Sequence, residues 1–146
     1  MIYLRTFRPT DWQVITKYQH PDLMQEDAVK LIDQLNASTY QGKFHKLCAI
    51  ADNDQIVGYV SMLEQDDGSV SIGVEVYEPF RRKGYAYLGV FQMLIFANAL
   101  DYQIATARVR KDNTASLALF KKLGFSIIGE SVSSRGNPVY DLTKSV

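Results

Sequence analysis

The sequence predicts a single domain of mixed α/β class over residues 1–146, in which helices cover both faces of a central sheet. Three observations support this fold class. The length of 146 residues suits one domain with one hydrophobic core. Helical and strand periodicities follow one another in the order β-α-α-β-β-β-α-β-α-β-β. Short turns join the middle strands, but a long helix separates the fourth strand from the fifth, which indicates both antiparallel and parallel pairing.

The first third of the chain is predicted to form one strand and two helices. Residues Ile2–Phe7 alternate and contain β-forming side chains, which is typical of a strand. The segment Thr10-Asp11-Trp12-Gln13 has the pattern of a capping box and predicts the start of a short helix. A second helix is indicated by apolar residues at helical spacing, namely Ala28, Leu31, Ile32 and Leu35.

The middle of the chain is predicted to form an antiparallel meander followed by a helix. Its strands are Lys46–Ala51, Ile56–Leu63 and Ser69–Val76, and turn-forming residues separate them. The helix that follows is expected to turn a face towards the core made of Leu88, Phe91 and Ile95, with Leu94 beside them.

The last third is predicted to add a strand, a helix and two further strands. Gln103–Val109 is expected to run parallel to the preceding strand because a helix connects the two. Asn113 is a candidate N-cap, and Gly124 is a candidate helix stop. The apolar side of this helix is predicted to consist of Ala115, Leu119, Phe120 and Leu123. Ser126–Ser131 and Val139–Thr143 are the two last strands.

Composition excludes several classes of protein. Sixteen basic and sixteen acidic residues cancel, which argues against a nucleic-acid partner, since such proteins need a basic excess. No apolar run is long enough for a membrane span, so no membrane partner is expected. One cysteine, Cys48, and two separated histidines predict neither a disulfide nor a metal site, and Cys48 is expected to be buried. We expect a cytoplasmic protein.

The segment Arg81-Arg82-Lys83-Gly84-Tyr85-Ala86 is a candidate anion site, because it joins a strand to the start of a helix. The first amide groups of a helix lack internal partners, and the helix dipole favours an anion there. Glycine allows a phosphate to approach the backbone closely. The segment matches neither a Walker A loop nor a dinucleotide-binding fingerprint. A solvated basic turn without a ligand is the alternative interpretation.

A second constellation lies downstream and consists of Asn113, Ser116, Phe120, Gly124 and Phe125. By itself it is equally consistent with a capped amphipathic helix that ends at a glycine.

Together, the two constellations resemble the GCN5-related N-acetyltransferases, the GNAT superfamily. The family signature [Q/R]-x-x-G-x-[G/A] stands here at residues 81–86, and its downstream signature stands at Asn113, Ser116, Phe120, Gly124 and Phe125. The opening segment, residues 4–11, is also similar to the family. Ser71-Ile72-Gly73 followed by Gly84-Tyr85-Ala86 resembles the branch that contains the ribosomal-protein N-terminal acetyltransferases.

The resemblance implies a cofactor, acetyl-CoA, and a sheet that splays between its fourth and fifth strands to receive it. It implies that backbone amides of Arg82, Lys83, Gly84, Tyr85 and Ala86 hold the pyrophosphate, with Arg81 at the first motif position. It also implies that the backbone of Val74 to Val76 pairs with the pantetheine arm. Asn113 and Ser116 would line the other side of that arm, and Phe120 would lie one turn further along.

Two departures from the family pattern concern catalysis. Phe120 stands where relatives often have the tyrosine that protonates the departing thiolate, and Ser71 stands near the position of a common glutamate. We therefore expect Ser116 to donate a hydrogen bond to the sulfur and Glu75 to act as the base, directly or through water. A solvated or ion-paired glutamate is the alternative for Glu75.

The function predicted from the sequence is acetyl transfer from acetyl-CoA to a primary amine by direct attack, with a small molecule or a protein N-terminus as the acceptor. Homodimers are common among such folds, so a homodimer is a possible assembly, and the oligomeric state stays open. Two alternatives stay open: a CoA-binding module with little or no catalytic activity, and a phosphate- or nucleotide-binding protein of another kind.

Overall fold

A computed structural model describes all residues from 1 to 146. The strands are β1 (Ile2–Arg5), β2 (Thr39–Tyr40), β3 (Lys43–Asp52), β4 (Gln55–Glu64), β5 (Val70–Val76), β6 (Ile104–Arg110), β7 (Ser126–Val132) and β8 (Pro138–Ser145). The helices are α1 (Trp12–Tyr18), α2 (Gln25–Leu35), α3 (Tyr85–Ala99) and α4 (Thr114–Lys122). Apart from the two-residue strand β2, this is the order of elements that the sequence predicts.

The strands form one mixed sheet in the order β1-β3-β4-β5-β6-β8-β7, and β2 pairs with β3 outside that path. Strands β3, β4 and β5 make the predicted antiparallel meander. The crossover through α3 brings β6 parallel to β5, as predicted. The hairpin β7–β8 folds back so that β8, and not β7, lies beside β6.

Helices cover both faces of the sheet and define two apolar clusters. One cluster lies under α3 and α4 and includes Cys48, Ile50 and Val60. The other lies under α1 and α2 and includes Leu47, Ala49 and other residues of the opposite face. Because side chains alternate along a strand, neighbours on β3 contribute to different clusters. The expected burial of Cys48 is confirmed, and burial raises the pKa of its thiol.

The sheet splits between β5 and β6. These are the fourth and fifth strands of the prediction, which did not include β2. Their parallel pairing is limited to Val70 with Ala105 and Ser71 with Thr106. Strand β5 continues to Val76, so its last five residues have no neighbour on the β6 side. The predicted splay is confirmed, and it leaves a backbone edge open in the middle of the sheet.

The start of α1 differs from the predicted capping box. The chain first makes a 3₁₀ turn over Pro9–Asp11, and α1 begins only at Trp12. The carboxylate of Asp11 accepts a hydrogen bond from the Arg8 amide at 2.6 Å and also binds the Arg5 side chain. Asp11 thus stands at the N-cap of α1 in place of Thr10, but its carboxylate binds back to Arg8 and Arg5 and makes no hydrogen bond to an amide of α1.

The predicted core face of α3 is wrong at Phe91 and Ile95, although Leu94 is buried as expected. Phe91 and Ile95 are 46% and 57% exposed, whereas Val90, Met93 and Ala97 are completely buried. The helix is apolar on nearly all sides, so its sequence contains little information about which side faces the sheet. The side is selected by Gly89, where a Cβ would lie 2.6 Å from Ile50 Cδ1, so that a glycine lets the helix approach the sheet closely.

Helix α4 has the predicted cap and the predicted stop. Asn113 accepts a hydrogen bond from the Ser116 amide, and Gly124 ends the helix with a φ of +97°. Phe120 and Leu123 are buried as expected, but Ala115 is exposed because it lies in the first turn, beyond the edge of the core.

Candidate cofactor and acceptor site

The open edge of β5 presents unpaired backbone groups. The Tyr77 amide donates to the Val57 carbonyl, and the Gln65 amide donates to the Ser69 carbonyl. The backbone amide and carbonyl groups of the odd-numbered residues of β5 therefore point towards β4. Alternation turns the amide and carbonyl groups of Val74 and Val76 to the side where β6 has diverged. These are the positions predicted for pantetheine pairing. The Val76 carbonyl accepts a hydrogen bond from Arg81 Nε at 2.8 Å, and the other amide and carbonyl groups of Val74 and Val76 are free to pair with an added strand-like ligand.

A run of free amides lies beyond the end of this edge. The first amide bond of α3 is made by Leu88, which donates to the Gly84 carbonyl at 3.2 Å. The amides of residues 82–87 make no hydrogen bond within the protein. Exposed donors at the start of a fifteen-residue helix favour an anion, since the helix dipole adds positive potential there.

The turn before α3 depends on left-handed backbone conformations. Gly84 is the N-cap with a φ of +84°, and Arg82 has a φ of +67°. A Cβ on Gly84 would meet no protein atom within 4 Å, so the space above this residue is open to a ligand. The predicted anion-binding segment thus has the expected local geometry.

A hydrogen bond that the sequence did not predict fixes the start of α3 to the sheet. The Tyr85 hydroxyl donates to Asp52 Oδ2 at 2.6 Å, which joins the first residue of the helix to the β3–β4 turn. The Tyr85 hydrogen bond lowers the pKa of the Asp52 carboxyl and raises that of the Tyr85 phenol. Asp52 carries no motif and lies 33 residues away, so only the fold brings this pair together.

The N-terminal end of α4 supplies Asn113 and Ser116. The Asn113 side chain caps the helix through its oxygen, at 3.1 Å from the Ser116 amide, and its NH₂ group makes no bond within the protein. Ser116 is half-buried, and its hydroxyl also has no partner in the protein. Both side chains therefore retain a free donor.

Phe120 lies deeper than its neighbours on the helix. Its ring is 3% exposed and packs edge-to-face on Phe125 at 5.1 Å between centroids. The ring is part of the core under α4, and its predicted contact with a cofactor stays a prediction.

Glu75 lies on the other face of the sheet from α3. Its side chain is exposed on the face that carries α1 and α2, between the open-edge residues Val74 and Val76. The Tyr59 hydroxyl donates to Glu75 Oε2 at 2.7 Å. Burial, followed by this contact with a carboxylate, raises the pKa of Tyr59, so the phenol stays protonated and orients the carboxylate.

A cleft of about 500 Å³ opens beside Glu75. The Tyr18 ring stacks on Tyr77 at 4.6 Å between centroids, and the Tyr77 hydroxyl donates to Gln19 at 2.7 Å. These aromatic residues form a wall that sequence reasoning missed, because neither belongs to a motif. The cleft is lined by Tyr18, Glu75, Tyr77, Glu78, Pro79 and Arg81.

No group of three or more His, Cys, Asp or Glu side chains is arranged to hold a metal ion. No helix is both long and apolar enough to cross a bilayer.

The model of the acetyltransferase (GNAT) domain family matches residues 2–126. The chain belongs to the GNAT family. A curated relative, the SPbeta prophage-derived uncharacterized N-acetyltransferase YokL of Bacillus subtilis (strain 168), is 31% identical over 88 residues, which are 58% of this chain and 50% of that protein. The match thus spans about half the length of this curated relative.

Solved GNAT-like structures share the fold. The ribosomal L7/L12 α-N-protein acetyltransferase RimL in complex with coenzyme A superposes with a TM-score of 0.82 at 17% identity, over 99% of this chain and 94% of that chain. The yncA protein of Salmonella typhimurium, solved with its cofactor acetyl-CoA, superposes with a TM-score of 0.73 at 16% identity, over the same shares of the two chains. At these identities the likeness shows the fold alone.

Proposed function

We propose that this GNAT domain is an acetyl-CoA-dependent N-acetyltransferase that moves the acetyl group directly to a primary amine. The observation that carries the proposal is that two features suited to a cofactor adjoin each other. The open backbone edge at Val74 and Val76 leads to the free amides at the start of α3. A ligand with an amide-containing arm and a pyrophosphate fits both features at once.

The cofactor is proposed to lie along this continuous surface. Its pyrophosphate binds the amides of Arg82, Lys83, Gly84, Tyr85 and Ala86, next to the positive side chain of Arg81. Its pantetheine arm pairs with Val74 and Val76, and Asn113, Ser116 and Phe120 line the opposite side. The free donors of Asn113 and Ser116 support this assignment, because both side chains can bind the arm without losing a bond inside the protein.

The acceptor amine is proposed to approach from the other face, through the cleft beside Glu75. Its nitrogen attacks the thioester carbonyl, the new C–N bond forms, and the C–S bond breaks to release the CoA thiolate. The Glu75 carboxylate takes the amine proton directly or through water, while the Ser116 hydroxyl donates a hydrogen bond to the leaving sulfur. Glu75 suits this role because the Tyr59 hydroxyl holds its carboxylate in a fixed orientation.

The amine must be neutral to attack, which favours some acceptors over others. Deprotonating an alkylamine with a pKa of about 10.4 costs roughly 4–5 kcal/mol at pH 7, whereas a protein α-amine with a pKa near 8 costs about 1–1.5 kcal/mol. A site whose proposed base is an exposed carboxylate therefore suits α-amines and other amines of low pKa.

A second candidate function is a CoA-binding module with little catalytic activity. It is favoured by one observation, the core position of Phe120, which leaves no phenol at the place where relatives often have an acid. The two functions share the cofactor site and differ only in turnover.

The test combines thermal unfolding with a turnover screen. Acetyl-CoA at 100 times its Kd should stabilise the protein by about 2.7 kcal/mol, because it binds only the folded state. Release of free CoA thiol should then be measured with polyamines, aminoglycosides and peptides that have free N-termini. An unchanged Tm would exclude both functions. Binding of acetyl-CoA without turnover would support the CoA-binding module and exclude the enzyme. Displacement of CoA by ATP would favour a nucleotide-binding protein.

A cytoplasmic location, homodimeric assembly, and the lack of metal, nucleic-acid and membrane partners are also proposed. They rest on the balanced charge, the composition and the fold class. Sedimentation of the purified protein tests the homodimer, and metal analysis of the same sample tests the proposal that no metal is used.

A further inference from the structure

The Arg81 side chain lies at the junction of the two halves of the cofactor surface. Its Nε donates to the Val76 carbonyl at 2.8 Å. Val76 is the last residue of β5, and its carbonyl faces the open edge. Arg81 also directly precedes the free amides of residues 82–87. One side chain therefore joins the turn that starts α3 to the end of the open strand.

This bond is the only hydrogen bond between residues 81–84 and β5. The Arg81 amide binds locally, to the Glu78 carbonyl at 3.3 Å, and the far side of the turn is held by Tyr85 and Asp52. Strand β5 itself is fixed to the sheet by the Tyr77 amide, which donates to Val57. The turn is thus held at two points, and Arg81 is the point on the cofactor side.

We propose that Arg81 is a positioning residue that sets the distance between the pantetheine edge and the pyrophosphate amides. The inference rests on the proposed function, since a single CoA molecule must span both features. A turn that is already held at the correct distance binds such a ligand more tightly, because less freedom is lost on binding.

A different role for the same side chain would be simple attraction of its charge to the pyrophosphate. The position of the donor atom separates the two roles. Glutamine carries its side-chain NH₂ the same number of bonds from Cα as the Nε of arginine, but it has no charge. Lysine keeps the charge and moves its donor one bond further out. Positioning therefore predicts that glutamine replaces Arg81 better than lysine does, and charge attraction predicts the reverse.

The experiment compares Arg81→Gln, Arg81→Lys and Arg81→Met by calorimetry with CoA and by steady-state kinetics. We expect the Kd for CoA and the KM for acetyl-CoA to rise about tenfold in Arg81→Met and Arg81→Lys, as loss of one such hydrogen bond implies. The kcat at saturating acetyl-CoA should fall by a smaller factor than the affinity for CoA. Lys83→Gln measures the cost of removing one charge from the same turn, and Arg81→Gln should lose no more than this.

Tighter CoA binding by Arg81→Lys than by Arg81→Gln would overturn the proposal, as would wild-type affinity in Arg81→Met. A measurement without ligand separates this proposal from the proposed function. The amide resonance of Tyr77, which follows the Val76 carbonyl, should move in Arg81→Met and stay in place in Arg81→Gln. If wild-type protein binds no CoA, the proposed function fails; if the Tyr77 resonance is unmoved in Arg81→Met, the positioning role fails.

Discussion

Gly84 combines a left-handed backbone conformation with open space beside it. Its φ of +84° lies in the left-handed region, and no protein atom lies within 4 Å of the place where a Cβ would stand. Gly84→Ala should cost about 1 kcal/mol of stability through backbone strain. It should also weaken CoA binding at least tenfold, because the methyl group blocks the approach of a phosphate to the free amides. Thermal unfolding and calorimetry measure the two effects.

Gly68 in the β4–β5 turn is a matched control for this substitution. It has the same φ of +84° and the same lack of protein atoms within 4 Å of a Cβ, but it lies away from the proposed cofactor surface. Gly68→Ala should lose similar stability and bind CoA as the wild type does. Equal CoA affinities in the two variants would show that the phosphate does not lie on Gly84.

Ser116 is the residue on which the proposed chemistry depends most. Its hydroxyl is half-buried and has no partner within the protein. Ser116→Ala should lower kcat about tenfold to a thousandfold while changing the Kd for CoA less, because the hydrogen bond to sulfur matters most as the thiolate departs. If the serine is only a helix residue, alanine should be harmless or slightly stabilising.

Thr114→Ala provides the comparison for Ser116→Ala. Thr114 lies in the same helix turn, is exposed and also carries a hydroxyl. The Thr114→Ala variant should keep the wild-type kcat and the wild-type Kd for CoA. Wild-type kcat in Ser116→Ala would remove the serine from the mechanism and leave water to assist the thiolate.

At the scale of elements, the contact of α3 with the sheet depends on Gly89. A methyl group there would lie 2.6 Å from Ile50 Cδ1, and Ile50 is completely buried. Alanine is the better helix former by about 1 kcal/mol, but overpacking of a core costs about 1–3 kcal/mol. Gly89→Ala should therefore lower the free energy of unfolding, measured by denaturant titration.

Ile50→Val removes Cδ1, the closer of two Ile50 atoms, leaves Cγ1 at 3.1 Å, and makes the same contact testable by a double-mutant cycle. Alone it should cost about 0.5–1.5 kcal/mol. In that background Gly89→Ala should cost less than it does in the wild type, because the 2.6 Å contact is gone while the gain in helix propensity remains. Additive effects of the two substitutions would show that Gly89 and Ile50 do not meet in solution.

At the scale of the whole molecule, one ion pair ties the sheet to the helical layer on one face. Asp11, just before α1, accepts hydrogen bonds from Arg5 Nη1 at 2.8 Å and Nη2 at 3.2 Å, and Arg5 belongs to β1. Burial by itself would raise the pKa of Asp11, but the Arg5 hydrogen bond and the Arg8 amide lower it overall. A lowered folded-state pKa stabilises the protein above the unfolded value of 3.8, and this contribution is lost as the pH falls through the folded-state pKa.

Asp11→Asn should make the free energy of unfolding depend less on pH in the acid range. The two side chains are only 13% and 12% exposed, so breaking the pair should cost about 3 kcal/mol at pH 7. The difference from the wild type should shrink as the pH falls below the unfolded value of 3.8 and then through the lower folded-state pKa of Asp11, where the wild-type carboxylate also becomes protonated. Urea titrations from pH 7 to pH 2 measure it, and a pH-independent difference would mean that the carboxylate charge is not what stabilises this junction.

Local signals in the sequence determined the fold class, the order of elements other than β2, and the chain segments of the proposed cofactor site. The turn at residues 81–86, the Asn113 cap and the Gly124 stop are encoded by residues within a few positions of one another, which is why pattern reasoning found them. The splay between β5 and β6 was implied by the family resemblance rather than by spacing.

Only the tertiary structure decided which surfaces meet. The inner side of α3 could not be predicted because the helix is apolar all round, and a single glycine opposite Ile50 selects it. The partners of Glu75 and Tyr85 lie on other strands, 16 and 33 residues away along the chain and outside any motif. A sequence pattern describes what is near along the chain, whereas these two hydrogen bonds form because the tertiary fold brings distant residues to within 3 Å of each other.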